Sequence, residues 1–317
     1  MTAHTVPHPA SSEIGDLLKA RGARSGVALA DYTTWRVGGA AEWFWEPETV
    51  NDVSEMLAAC HDAGMPVHYL GRGSNLLVAD GGVPGLVVCT LRALQGIEVQ
   101  GEHLVAEAGA PLPKLSKVAA KGGHDGFAFM IGIPGTVGGG VVINASTGGP
   151  DCPDDVRSVL DAVDVFEPGV GVYEVPAEAL GLGYRTSTLL DRQPYVLRAR
   201  FRLEYQASAE AIRDRTKSHL VERKRKQPLT KATAGSTFKA VLGGHAAGWY
   251  LDRAGLKGER VGGAVVSEMH ANWIVNDGSA TADDIEKLME RMEGRVHDAM
   301  GVRLEREVRT MPHSVAR

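Results

Sequence analysis

A chain of 317 residues, 44% hydrophobic and 23% charged, has the make-up of a water-soluble protein of two or three domains, not of a fibrous or disulfide-stapled one. Its net charge of −5 gives no general attraction to nucleic acid, and no apolar run reaches the roughly 18 residues of a membrane span. Cys60, Cys89 and Cys152 are odd in number and lack metal-ligand spacing, so they read as thiols in a reducing compartment.

The N-terminal MTAHTVPHPASS has neither the basic nor the apolar region of a signal peptide; it reads as a frayed tail, and the protein as cytoplasmic. In SEIGDLLKAR, Ser12 stands ahead of Ile14, Leu17 and Leu18, which share a helical face. A strand-like run spans 41–46. A helix is predicted over 50–63, with Val53, Met56, Leu57 and Cys60 at helical spacing and Gly64 at its end, then a strand over 66–70. Short strands punctuated by glycine fill 83–110, a helix follows over 113–122, and short strands return over 156–205. Beyond residue 206 the chain turns helical: a charged helix ended by Pro228, a second stopped at Gly255, and a third from Thr281 to Gly301 with Ile285, Leu288, Met289, Met292 and Val296 as a core stripe. VRLEREVRTM reads as a closing strand. The fold class is α+β.

Two glycine-rich stretches invite a different reading. In LGRGSNLLVAD (70–80) and GIPGTVGGGVVINA (132–145), side chains are removed where a strand would need them. Bare backbone of this kind lets main-chain N–H groups approach an anion. Neither stretch fits the dinucleotide fingerprint or the Walker loop, and either alone reads equally well as a tight turn. Together they suit a dinucleotide diphosphate, which takes donors from more than one loop. Arg36, beside a Gly-Gly turn in TTWRVGG, adds a cation.

Seven ordered motifs, YTTWRVGG, LGRGSNLLV, GIPGTVGGGVVINA, GYRTS, AGSTFKA, GGAVVSEMHANWIVN and LEREVR, then carry a resemblance over residues 30–310 to the UDP-N-acetylenolpyruvoylglucosamine reductases, flavoenzymes of peptidoglycan precursor synthesis. The resemblance implies an FAD-binding module of the vanillyl-alcohol-oxidase type, in two α+β subdomains (1–66 with 302–317, and 67–205), and a C-terminal α+β substrate-binding domain (206–301). It implies FAD contacts from Arg36, from Gly71, Arg72, Gly73, Ser74, Asn75 and Leu76, and from Gly132, Ile133, Pro134, Gly135, Thr136, Gly138, Gly139, Asn144 and Ala145. The 71 residues from Ser236 to Glu307 resemble the shorter second type, which lacks an inserted subdomain.

The implied reaction reduces UDP-N-acetylglucosamine enolpyruvate to UDP-N-acetylmuramate, with NADPH as reductant. A hydride reaches the vinyl carbon distal to the ether, and charge spreads from the neighbouring carbon into the carboxylate. Such chemistry needs a proton donor, a cation at the carboxylate and an acid that stabilises the enol form. The motifs imply Ser236 as donor, tuned by Lys239 or water, Arg185 as the cation and Glu307 as the acid. Residue spacing alone leaves Glu305 and Glu307 unseparated, on one face of a strand; the motif favours Glu307. Lys226, with Arg223, is implied at the UDP diphosphate, and His270 and Asn272 at the site wall. The protein is expected to be a monomer, with no nucleic-acid or membrane partner and no metal.

Three positions depart from the pattern: Ala240 where asparagine is usual, Ser146 where glycine is common, and Ala128 where glutamate is frequent. An FAD-dependent sugar or alcohol oxidase, and a nucleotide-binding regulator that has lost its chemistry, are the competing readings. The Arg185, Ser236 and Glu307 set argues against both.

Overall fold

The computed structural model describes residues 10–192, 194–204 and 206–312; most of the expected N-terminal tail lies outside them. Helix α1 (Ala10–Ala20) leads to β1 (Arg24–Ala28), β2 (Ala40–Trp45), α2 (Val50–Asp62), β3 (Val67–Leu70), β4 (Leu76–Val78) and β5 (Val83–Cys89). The middle of the chain supplies β6 (Ile97–Gln100), β7 (His103–Glu107), α3 (Leu112–Lys121), α4 (Val137–Val142), β8 (Leu160–Glu167), β9 (Gly171–Pro176), α5 (Leu189–Arg192) and β10 (Tyr195–Arg202). The last third holds α6 (Ala209–Lys226), α7 (Ala247–Arg253), β11 (Arg260–Val261), β12 (Ala264–Val266), β13 (Ile274–Asn276), α8 (Ala282–Met300) and β14 (Arg309–Met311).

The strands form three main sheets. One runs β1-β2-β5-β3, with β2, β5 and β3 parallel. Helix α2 packs beneath it through Val53, Met56, Leu57 and Cys60, its N-terminus closed by a capping box between Thr49 and Asp52. The second is antiparallel, β6-β7-β10-β8-β9, and its buried face meets α3 and α4 in the largest core cluster. The third, β11-β12-β13, packs against α7 and α8 through the predicted stripe Ile285, Leu288, Met289, Met292 and Val296.

The parts are stitched together by long-range bonds. Trp35 and Val37 are buried in the C-terminal core. The Trp35 indole donates to Ile274 O (2.8 Å), and the Asn276 amide donates back to Trp35 O (2.8 Å). The Asp80 carboxylate accepts the first free amides of α8, from Ala282 and Asp283, both at 2.9 Å. These ties fix the loop before β2 and the turn after β4 against the C-terminal domain.

Several expectations need correction. Helix α1 starts at Ala10, so Ser12 lies within its first turn and not ahead of it. The first sheet does not stop at residue 66, because β3 and β5 are its members and it runs through Cys89. Helix α6 is not part of the C-terminal core: it packs on α3 and on the 3₁₀ turn at Ala128–Gly132. The glycine-rich stretch at 132–145 is not all loop, since Val137–Val142 is helical. The closing strand is short. Only Arg309–Met311 pairs, in parallel with β4, because the residues before it are held by the Ser236 segment.

Candidate active site

The two glycine-rich stretches meet at one cleft. A Cβ on Gly71 would stand 2.4 Å from the Thr136 hydroxyl, so this glycine is what lets the loop after β3 touch the turn before α4. Between them opens a cavity of about 270 Å³. It is lined by Gly71, Arg72, Gly73, Ser74, Asn75 and Leu76 from the first stretch, and by Ile133, Gly135, Thr136, Gly138, Gly139 and Ala145 from the second.

The cleft's chemistry lies in its backbone. Among the described residues, the amides of Gly71, Arg72, Gly73, Ser74 and Asn75 have no acceptor, nor do those of Thr136 and Gly139. Most of these residues are half-buried or exposed, and main-chain N–H groups without protein acceptors along a cleft can receive an anion. A Cβ on Gly135 would meet protein atoms only at ordinary contact distance, 3.5 Å or more, and would occupy the cleft itself. The far end is apolar and aromatic: Leu189, Leu190 and the tilted pair Tyr69–Tyr195, ring centroids 4.8 Å apart. A diphosphate at the amides and a flat ring at the apolar end fit this cleft, as FAD requires.

Four predicted cofactor residues lie off the lining. Arg36 is solvent-exposed with φ +58°, and Pro134 is likewise exposed, outside the lining. Gly132 faces α6, where a Cβ would stand 2.6 Å from Arg223 Cδ. Asn144, with φ +44°, is buried and fully engaged: its amide donates to Asp155 and to Gly183 O, both at 3.0 Å, and its oxygen accepts from Arg157 N (2.9 Å). It braces the loop that carries Arg185.

A polar corner borders the cleft. Asn75, one of the lining residues, donates through Nδ2 to Glu307 O (3.1 Å). Arg185, at φ +54°, donates through Nε to Glu307 Oε1 at 2.5 Å. The two side chains are 13% and 10% exposed. Burial pushes the Glu307 carboxyl above its usual range, and the Arg185 cation pulls it part of the way back. Tyr184 lies beside them, its hydroxyl accepting from Ala240 N (3.1 Å).

Ser236 reaches this corner through the backbone. Glu307 N donates to Thr237 O (2.8 Å), Lys239 N donates to Glu305 O (2.8 Å), and Phe238 bridges Arg306. Asn272 fastens the same segment, accepting from Phe238 N (2.9 Å) and donating to Phe238 O (2.8 Å). The Ser236 hydroxyl, half-buried, has no partner among the described residues. Glu305 and Glu307 are not equivalent, contrary to the shared face expected of a regular strand. Glu305 is 74% exposed and pairs with Lys239, whereas Glu307 turns inward to Arg185.

The remaining predicted residues form a neighbouring cluster. Arg223 lies over Gly132 and bonds Gln227 Oε1 at 2.7 Å; no carboxylate pairs with it among the described residues, and burial pushes its guanidinium down to about 10. Lys226 is exposed and pairs with Glu222. Burial, with the cations of Lys257 and Lys226 nearby, holds His270 below the usual histidine range, and its Nδ1 accepts from Asn272 N at 3.2 Å. Sequence reasoning missed Arg309, Tyr69 and Tyr195, all on the cleft wall. Arg309 stands two residues past Glu307, and that adjacency was its one signal.

The sequences of known proteins agree with this geometry. A family model for the FAD binding domain matches residues 41–173, and one for the C-terminal domain of UDP-N-acetylenolpyruvoylglucosamine reductase matches 227–311. The UDP-N-acetylenolpyruvoylglucosamine reductase of Parasynechococcus marenigrum is 43% identical over 292 residues, 91% of this chain and 95% of the relative. The chain belongs to the UDP-N-acetylenolpyruvoylglucosamine reductase family. The family member of Synechococcus sp. strain WH7803 is 40% identical, spanning 90% of this chain and 92% of its own. The crystal structure of the Thermus caldophilus family member superposes with a TM-score of 0.77 at 36% identity, covering 91% of this chain and 99% of that one. The FAD-binding α+β module and the separate C-terminal domain expected of this family are thus both present, and an oxidase or a chemically silent regulator falls away.

Proposed function

We propose that this FAD-dependent oxidoreductase reduces UDP-N-acetylglucosamine enolpyruvate to UDP-N-acetylmuramate, with NADPH as the source of reducing equivalents, as a cytoplasmic monomer of peptidoglycan precursor synthesis. The observation that carries this reading is the meeting of Arg185, Glu307 and the Ser236 segment at the edge of the amide-lined cleft. The free amides of 71–75, with Thr136 and Gly139, would hold the FAD diphosphate, and Arg36 and the residues behind the lining would support it. Bound FAD supplies the hydride.

The chain's own residues do the rest. Three of the five guanidinium N–H donors of Arg185 are engaged in the protein, which leaves two for the substrate carboxylate. Charge that spreads into that carboxylate as the enolate develops is met by a fixed cation in a partly dry corner, where it counts for more than in water. Glu307, held toward its protonated form by burial, stabilises the enol oxygen. The free hydroxyl of Ser236 delivers the proton to the carbon next to the ether, and Lys239 is the nearest cation on its segment. Arg223, a half-buried cation with no acid partner among the described residues, and Lys226 would take the UDP diphosphate, with His270 on the wall and Asn272 setting the Ser236 backbone.

An anaerobic titration tests this. The purified yellow protein should bleach with NADPH and regain its colour with one equivalent of the enolpyruvyl sugar, yielding the lactyl ether. Bleaching without recolouring would overturn the assigned substrate.

A further inference from the structure

We infer that Ser146 is a positioning residue for Arg185, setting the direction of its guanidinium through the side-chain hydroxyl. The inference rests on the reading that Arg185 faces the substrate carboxylate.

The backbone of Arg185 is fixed by its surroundings. Asn144 holds Gly183 O, Gly183 and Thr186 exchange bonds of 3.1 and 3.4 Å, and Thr188 N donates to Leu180 O at 2.8 Å. An arginine head nevertheless lies several rotatable bonds from its Cα, so a fixed backbone does not aim it. Three acceptors do. Glu307 takes Nε, the Ser146 hydroxyl takes Nη1 at 2.7 Å, and the Ser146 carbonyl takes Nη2 at 3.3 Å. Tyr184 presents its ring face, with the guanidinium carbon 5.3 Å from the centroid. Glu307 alone would leave the planar head free to pivot about Nε. The two bonds from one residue on the opposite edge fix the plane.

The hydroxyl is itself oriented. Arginine only donates, so the Ser146 Oγ lone pair faces Nη1 and its proton must go elsewhere. It goes to Gly148 O at 3.1 Å. That carbonyl is held by a tight turn in which a Cβ on Gly148 would stand 2.8 Å from Cys152, and Cys152 N closes on Gly149 O at 3.1 Å. Ser146 also bridges Asp155. A relay thus runs from the 148–152 turn through the Ser146 hydroxyl to the guanidinium, and the two remaining N–H groups of Arg185 point where the relay sends them.

The test uses the FAD-loaded protein with Ser146→Ala, Ser146→Gly, Ser146→Thr, Arg185→Ala and the Ser146→Ala/Arg185→Ala double variant. Three quantities are read: FAD content, the anaerobic rate of reduction by NADPH, and the maximal rate of reoxidation by the enolpyruvyl sugar against its concentration. Ser146→Ala and Ser146→Gly should keep FAD and NADPH reduction, while maximal reoxidation falls about tenfold or more because the carboxylate is misaligned. Ser146→Thr, which keeps the hydroxyl, should recover most of the rate. In the Arg185→Ala background, removing the hydroxyl should change nothing further, which a merely structural serine would not predict. Wild-type reoxidation by Ser146→Ala, equal damage from threonine and alanine, or a further loss in the double variant would overturn the role. If Arg185→Ala itself reoxidises normally, the underlying reading of Arg185 fails instead. Should Ser146→Ala not retain FAD, the comparison of threonine with wild type decides: a threonine variant that holds FAD but reoxidises slowly refutes the hydroxyl's role, and one at wild-type rate supports it.

Discussion

The cleft and the polar corner beside it make contacts in opposite ways. Along the cleft the donors are main-chain amides left without acceptors, and side chains are removed to expose them. In the corner the contacts are made by side chains already engaged: Arg185 with the Glu307 and Ser146 side chains, Asn272 with the Phe238 backbone, and the Tyr184 hydroxyl with Ala240 N. A cradle for a fixed anion needs unfilled donors in a rigid row. A site that must move charge and one proton needs groups already aimed, with few donors to spare. Within that corner the Ser236 hydroxyl is half-buried and lacks a partner among the described residues, and the neighbouring Thr237 hydroxyl, fully buried, lacks one too.

Variants can break this contrast. The largest effect is expected where the corner leaves a group unengaged. Ser236→Ala should leave flavin reduction by NADPH intact and slow reoxidation by substrate about 10²- to 10⁴-fold, as loss of a proton donor does; stopped-flow absorbance separates the two halves. In the cleft the sensitive change is an added side chain. Gly135→Val should weaken FAD retention about 10- to 100-fold, as overpacking of a few kcal/mol would, read as flavin content after desalting. Unchanged flavin content would mean the cofactor does not lie over Gly135.

Smaller effects sharpen the picture of the corner. Burial raises the Glu307 carboxyl, so the folded chain holds that proton more tightly than the unfolded one. Its stabilising contribution is present at low pH and is lost as pH rises through the raised value. Melting temperatures of wild type should therefore fall relative to Glu307→Gln as pH climbs above the ordinary carboxylate range. Arg223 has the opposite sign: its charge is a burden to the fold at every pH below about 10. Arg223→Met should raise stability by about 1 kcal/mol in thermal melts while weakening substrate affinity, since an unpaired half-buried cation costs the fold and serves an anion. A variant neither more stable nor weaker in binding would mark Arg223 as structural.

Much of the cleft was legible because glycine is a positional signal. Runs at 71–75 and 135–139 had no use in strands; among the described residues the amides of the first run, and those of Thr136 and Gly139 in the second, have no acceptor. Helix α4 was not legible. Valine and glycine are poor helix formers, and the turn is held by tertiary bonds, Val137 N to Ala110 O (2.8 Å) and Gly138 N to Ala108 O (2.9 Å). The corner was readable only through motifs, because Ser236 and Glu307 meet by pairing across 71 residues and no local pattern announces that. Glu305 and Glu307 could not be told apart by a period of two, since the segment is pulled off a regular strand by the Ser236 stretch. Ser146 read as a lost glycine; in three dimensions it is an added hydrogen bond.

The claim tested most directly is that bare amides hold the FAD diphosphate while Arg185, Ser236 and Glu307 gather round the enolpyruvyl group. A crystal structure of the protein with FAD and the enolpyruvyl sugar measures this at once. The account predicts diphosphate oxygens within hydrogen-bond distance of the 71–75 and Thr136 or Gly139 amides, with the substrate carboxylate on the two free Arg185 donors. A diphosphate bound away from those amides, or a substrate carboxylate remote from Arg185, would contradict it.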